Sequence, residues 1–241
     1  MTHPEHSKST LETLRRQRHV NSWEEEHARE IPILPSVGSD KPSKFLFSII
    51  DLATKNGIMF GPNVLDIGCG GGRNSLELRK RGFIVIGFDI SENAISKAKK
   101  RAEEQNLSIT FYTGAMDKQW ALPDHSIDLI VDDTGSGSIG TLSGIASCRD
   151  QMNSTLKPNG YIAMVSLAST DQYLLRQPHG EGGTIITEQG WTDKLFSMQE
   201  IQEFYAPFQV IHQEIQSTPV EYESGEWERQ AILTLLQKPA N

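Results

Sequence analysis

Six residues, Gly68-Cys69-Gly70-Gly71-Gly72-Arg73, stand between the short apolar run Val64-Leu65-Asp66-Ile67 and a helix-permissive stretch that opens at Asn74. Glycines in such a turn let backbone touch a ligand with no side chain between them. A helix starting just beyond would add free N–H groups that suit an anion or a polar group. Asp89 follows Gly68 by 21 residues and ends the next apolar run. If the two runs are adjacent parallel strands, loop and carboxylate meet at one sheet edge. A carboxylate there accepts both hydroxyls of a ribose. The chemistry is the binding of a nucleoside-bearing cofactor.

The dinucleotide fingerprint needs Gly-x-Gly-x-x-Gly or Ala. Counted from Gly68 the last position is Arg73, and from Gly70 it is Ser75, so neither frame fits. No Gly-Lys-Ser or Gly-Lys-Thr marks a Walker loop. What remains is Asp66-x-Gly68-x-Gly70-x-Gly72. Asp66 would repel a pyrophosphate but suits an amino-bearing, cationic ligand, which favours S-adenosylmethionine over NAD. Other reactive groups are spread thinly. Asp132 and Asp133 close a later apolar run. Tyr173 and His179 lie in an irregular stretch and are candidates to line or close a pocket. Trp23 and His27 reach a site only if the N-terminal segment folds over it. Arg73 is a candidate partner for a carboxylate, and Cys69 reads as a small residue fitting a crowded loop. The histidines are scattered, and Cys69 and Cys148 lie 79 residues apart, so no metal-ligand spacing or disulfide framework appears.

The elements that must position these groups follow from periodicity. Val64–Ile67, Phe83–Phe88, Ile109–Tyr112, Ile127–Val131 and Tyr161–Leu167 read as strands, mostly without a polar face. Between them, Asn74–Arg81, Glu92 to about Asn106 and Leu142–Leu156 read as helices, and Lys41–Gly57 precedes the set with Pro42 in its first turn. Strands lacking a polar face need cover on both sides, hence an α/β, doubly wound, mostly parallel sheet. Phe208–Ser217 and Trp227–Gln237 alternate more clearly around an expected Pro219–Gly225 turn. They complete a seven-stranded sheet as an antiparallel pair. Residues 1–40, with Leu11, Leu14, Val20, Trp23 and His27 loosely on one side, form a helical arm or a lid. Residues 41–241 form one domain, with a substrate-side insert at about 169–195.

Four blocks in this order resemble the class I S-adenosylmethionine-dependent methyltransferases of the methyltransferase type 11/25 group. They are Val64 to Gly72, Gly87-Phe88-Asp89-Ile90-Ser91, Leu122 to Ile130, and Leu156-Lys157-Pro158-Asn159-Gly160-Tyr161. Gly72-Arg73-Asn74-Ser75 and Phe196-Ser197 add a narrower likeness to tellurite-resistance and thiol methyltransferases. The resemblance implies a Rossmann-like fold, S-adenosyl-L-methionine as cofactor and methyl transfer. It implies that Gly68, Cys69, Gly70, Gly72 and Asn74 surround the cofactor and that Asp66 acts on its ammonium, directly or through water. Asp89 would hold the ribose and Ile90 would lie on the adenine. Family members often carry an acid directly after the glycine that ends strand three. Here Gly114 is followed by Ala115 and Met116, and the acid is Asp117, so either Asp117 reaches round or the backbone at Ala115 and Met116 serves the adenine. Asp132 would flank both cofactor and methyl group, with Asp133, His179 and Tyr173 as acceptor-side catalytic candidates.

Lys and Arg total 23 against 31 Asp and Glu, a net charge of -8, which disfavours a phosphate-backbone partner. No apolar run reaches the length of a membrane span, and Met1 to Arg18 is polar. The expectation is a cytoplasmic enzyme, monomer or homodimer, with a small-molecule methyl acceptor and no nucleic acid, membrane or metal. Methyl transfer is an in-line displacement on a good leaving group, so the protein mainly orients and desolvates the nucleophile. The alternatives are a non-catalytic S-adenosylmethionine-binding regulator and an NAD-dependent oxidoreductase.

Overall fold

The computed structural model describes residues 17–187, 190–222 and 225–240. Leu11 and Leu14 of the expected arm, and residues 223–224 of the expected last turn, lie outside the described residues. Parallel strands β1 (Asn63–Ile67), β2 (Ile84–Asp89), β3 (Thr110–Thr113), β4 (Ile127–Asp133) and β5 (Leu156–Leu167) form most of one sheet. A small antiparallel pair, β6 (Thr184–Ile186) and β7 (Thr192–Lys194), stands apart in the insert. The long strands β8 (Gln209–Tyr222) and β9 (Gly225–Gln237) complete the main sheet in the order β3-β2-β1-β4-β5-β9-β8. Both are antiparallel to their neighbours, β9 to β5 and β8 to β9. The chain moves outward from β1 to β3 and then returns to β4 on the other side of β1. This reversal leaves a crevice at the carboxyl ends of β1 and β4.

Successive strand residues face opposite layers, and both layers are packed. On one face Leu65, Ile67, Phe88, Ile130 and Met164 meet Ile145, Cys148 and Met152 of α6 (Leu142–Thr155) and Ile201 of α7 (Met198–Phe204). On the other, Val64, Leu129, Val131 and Leu233 meet Leu46, Ile49 and Ile50 of α3 (Lys44–Lys55). Each such aliphatic side chain contributes about 1.5–3 kcal/mol by leaving water. This two-sided burial is why β1 and β4 lack alternation in the sequence.

Caps set the helix limits. Ser43 accepts from the Leu46 N–H and starts α3, so Pro42 stands before the cap instead of within the first turn as expected. Gly57, at φ +87°, ends it, with the Ile58 N–H donating back to the Ala53 carbonyl. Ser91 caps α5 (Glu92–Glu104), and Ser197 with Glu200 forms a capping box on α7. Helix α4 (Arg73–Lys80) follows the glycine turn directly. Two boundaries differ from expectation. β5 begins at Leu156, immediately where α6 ends, and passes through Lys157-Pro158-Asn159-Gly160 with a shifted register. Pro219 lies inside β8, not in a turn. It is accommodated because β8 is an edge strand and needs partners on one side only.

The N-terminal segment is helical over residues 17–28, here α1, and a short turn α2 (Pro35–Gly38) follows. Buried Glu26 turns the chain back by accepting the Leu34 N–H at 2.7 Å, and it pairs with Arg29 at 3.3 Å. Glu24 accepts from both the backbone and the side chain of Asn93, at 3.2 and 2.7 Å, and so holds α1 to the start of α5.

Candidate active site

Register brings the chemistry together. Ile67 pairs with Phe88 on one side and with Asp132 on the other, so β1, β2 and β4 end at one level. The chain leaves β1 through Gly68, Gly70 and Gly72, all at positive φ. A Cβ on Gly72 would stand 3.0 Å from the Ala98 Cβ and 3.2 Å from Phe111, so the turn is pressed onto α5 and β3. Asp89 is fixed against this turn. Its Oδ2 accepts the Gly70 N–H and its Oδ1 the Ser91 N–H, both at 2.9 Å. Each oxygen keeps lone-pair capacity for further donors. Burial raises the Asp89 pKa above the usual carboxylate range, opposed by the charge of His27 and by the backbone donors.

Two other carboxyls lie beneath the surface. Asp66 is 1% exposed, and Ser75 of α4 donates its hydroxyl to Asp66 Oδ2 at 2.5 Å. Burial pushes its pKa up to about 7, against the pull of the Ser75 bond. Asp132 is fully buried. Its Oδ1 accepts the Ser136 N–H at 3.0 Å, its Oδ2 has no partner among the described residues, and burial lifts its pKa to about 6. Asp133 is different in kind. It accepts from Arg73 at 2.7 Å, from Asn74 at 3.0 Å and from Ser43 at 3.1 Å. Asn74 in turn accepts the Ser43 N–H at 2.8 Å. Asp133 thus ties the end of β4 to the starts of α3 and α4. Burial drives the Cys69 thiol well above its usual pKa, which leaves it a poor nucleophile.

A pocket opens over this edge. Of the residues expected around a cofactor, Gly68, Cys69, Gly70, Asn74, Asp89, Ile90, Met116 and Asp117 line it. Asp66, Gly72, Ala115 and Asp132 are not in the lining. Asp133 reaches it, whereas His179 and Tyr173 do not. His179 lies in the insert, bridged to Ile185, and Tyr173 packs on Trp227 with ring centres 5.7 Å apart. The remaining wall comes from the N-terminal segment and from the turn after β4. His19, Val20, Trp23 and His27 of α1 line it together with Ser138 and Ile139, and His27 lies against the turn, its Cε1 3.4 Å from where a Gly70 Cβ would stand. Trp23 stacks on Trp191 of the insert, 5.4 Å between ring centres and 24° between planes, and its Nε1–H donates to His19 Nε2 at 3.1 Å. His19, Val37, Ser138 and Ile139 were not anticipated. The signal that could have found His19 is its four-residue step to Trp23 and again to His27, which puts the three rings on one helix face. No group of three or more His, Cys, Asp or Glu suited to a metal ion occurs among the described residues, and no helix there is long and apolar enough to cross a membrane.

A family model for a methyltransferase domain matches residues 60–222. The ubiquinone biosynthesis O-methyltransferase of Coxiella burnetii is 53% identical over 51 residues, 21% of this chain and 22% of that protein. The protein of the same name from Pasteurella multocida is 34% identical over 119 residues, 46% and 48% of the two chains. The chain thus spans less than half the length of these curated relatives. The solved structure of a SAM-dependent methyltransferase from Methanosarcina mazei superposes with a TM-score of 0.67 at 21% identity, over 78% of this chain and 97% of that one. The strand order, the glycine turn at the β1–β4 crevice and a family match across more than half the sequence agree: the chain belongs to the methyltransferase-domain family, built on the class I S-adenosylmethionine-dependent fold.

Proposed function

We propose that this protein transfers the methyl group of S-adenosylmethionine to a small-molecule nucleophile. One observation carries the reading: the glycine turn and Asp89 are locked together by the Gly70 N–H at the mouth of a pocket. The residues present suit the cofactor. Gly68 and Gly70 offer bare backbone, and Asp89 is already aimed by two N–H groups at a place where ribose hydroxyls can donate to it. Ile90 and Met116 give apolar walls for a purine, with Asp117 nearby as an acceptor for its amino group. Asp66 sits under the turn and is poised to ionise near neutral pH, which supports an indirect role toward an ammonium. When bound, the cofactor supplies an electrophilic methyl group on a sulfonium.

The chain's own part is to position and dry the acceptor. Val20, Trp23, Val37 and Ile139 give the pocket apolar surface, and Ser138 adds a hydroxyl. Such a lining suits a small, weakly polar acceptor. The relatives' printed name, O-methyltransferase, makes a hydroxyl the first acceptor class to screen. The three hydrogen bonds on Asp133 support a role in holding the pocket floor, and the Ser136 N–H that buried Asp132 accepts supports a role in the turn after β4. Calorimetric titration of the cofactor-free protein with S-adenosylhomocysteine, with NADH as control, tests the reading. Saturable one-to-one binding of the first alone is expected. Binding of NADH alone, or of neither by folded protein, overturns it.

A further inference from the structure

A second cavity, of about 340 Å³, is lined by the chain that leaves α1 and by one face of α5. Arg29 and Glu30 come from the first; Lys97, Lys100, Arg101 and Glu104 come from the second, at the spacing of one helix face. Four cations against two acids reverse, at this one place, the sign of a chain whose net charge is -8. The cations are held in position without being used up. Lys97 donates to the His27 carbonyl, and Arg101 Nη1 donates to the Gly71 carbonyl at 3.1 Å. A carbonyl orients a cation but does not cancel its charge. Arg29 Nε lies 3.3 Å from Glu26, and Lys100 Nζ lies 3.9 Å from Glu104. Each contact engages one nitrogen or one N–H, whereas an ammonium has three N–H groups and a guanidinium five.

The charges select the ligand. Like charges gathered around one space repel, and an anion bearing more than one charge offsets that repulsion. A phosphate ester carries close to two negative charges at neutral pH and three acceptor oxygens. The volume stands at the lower end of small-molecule sites, so it admits a small ester and not a polymer. We propose that this cavity binds the phosphate group of a small phosphate ester or of inorganic phosphate, held between Arg29 and the Lys97–Arg101 face of α5. The binding has a consequence for the neighbouring pocket, since Val37 and Arg101 line both. Arg29 follows His27 by two residues. A phosphate bridging Arg29 to α5 adds a third tie between α1 and α5, beside those made by Glu24 and Lys97. Phosphate and the cofactor then strengthen each other's binding, as linkage requires. That coupling rests on the methyltransferase reading above; the phosphate site itself does not.

The test is calorimetric titration of wild type, Lys100→Glu, Glu30→Gln and Lys80→Glu with inorganic phosphate and with phenyl phosphate, at constant ionic strength so that screening is fixed. The Lys100 side chain is 77% exposed, so its reversal spares the core. Lys80 of α4 does not line the cavity and controls for the change in net charge. Saturable one-to-one binding to wild type is expected, about five- to thirtyfold weaker in Lys100→Glu, tighter in Glu30→Gln and unchanged in Lys80→Glu. Whichever probe binds more tightly tells an ester from the free anion. No saturable binding of either probe, or equal losses in Lys100→Glu and Lys80→Glu, overturns the site. A second titration, with S-adenosylhomocysteine, is made with and without the saturating probe. Several-fold tighter binding in its presence is expected, and an unchanged affinity overturns the tie between α1 and α5. Protein that binds phosphate yet ignores S-adenosylhomocysteine refutes the methyltransferase reading and leaves the phosphate site standing.

Discussion

Replacing Asp66 with asparagine should stabilise the cofactor-free protein at neutral pH and flatten part of its pH dependence. Asp66 is 1% exposed, accepts a hydrogen bond from Ser75, and has its pKa raised from 3.8 to about 7, chiefly by burial. For a carboxyl raised in the folded state, the native protein binds more protons than the unfolded chain between the two values. The contribution is complete below the unfolded pKa and is lost as pH rises through the folded one. A separation of about three units at ~1.36 kcal/mol each corresponds to a swing on the order of 4 kcal/mol between pH 4 and pH 7. Asparagine keeps the acceptor for Ser75 and has no charge to bury. The assay is urea unfolding of wild type and Asp66→Asn at successive pH values, read as the difference in unfolding free energy at each pH. Asp132, raised to about 6, titrates in both proteins and drops out of that difference. The wild type should lose about 1.4 kcal/mol per pH unit relative to the variant from pH 5 to 7, levelling above pH 8. A difference that does not change with pH would mean that Asp66 ionises normally in the fold, and the account of the turn's underside would fail.

Asp89→Ala removes the acceptor for the Gly70 and Ser91 N–H groups together with the proposed ribose contact. S-adenosylhomocysteine affinity should fall by about 1.5–3 kcal/mol in calorimetry, and unchanged affinity would remove Asp89 from the site. Gly72→Ala forces an L side chain to φ +79° and into the Ala98 Cβ at 3.0 Å. It should destabilise by about 1–3 kcal/mol in urea, and an unshifted midpoint would contradict the packing of the turn on α5. Trp191→Ala deletes the ring stacked on Trp23, a pair worth about 0.5–1.5 kcal/mol beyond its buried area. Stopped-flow measurement should show S-adenosylhomocysteine leaving several-fold faster, and an identical off-rate would show that α1 does not control the opening.

The sheet was legible because each parallel strand ends in punctuation that short-range chemistry explains. Glycines follow Ile67, Ser91 caps α5 two residues after Asp89, and the residue spacing carries the chain across one βα unit. Strand order follows from the same units, since right-handed crossovers leave few alternatives. What escaped the sequence depends on pairs far apart in it. The anchoring of Asp133 is invisible locally, because nothing near it announces that Ser43, 90 residues earlier, donates to it. Tyr173 and His179 were drawn toward the pocket by their irregular surroundings. Which way the insert folds is decided instead by Trp227 against Tyr173 and by the β6–β7 pairing beside His179. Pro219 read as a turn because local propensity cannot distinguish an edge strand from a central one.

The stack of Trp23 on Trp191 joins residues 168 positions apart. During synthesis α1 emerges before nearly everything it will touch. Its anchors on α5 appear some 70 residues later, and its aromatic partner appears only after about another hundred. Contacts so distant close late, because the entropy of the intervening loop must be overcome first. The sheet edge with its glycine turn can therefore be assembled while the roof over it is still absent, and the binding chamber is completed late in folding. A ligand present in the cell at that moment meets an open cradle, and its capture and the settling of α1 become one thermodynamically linked step.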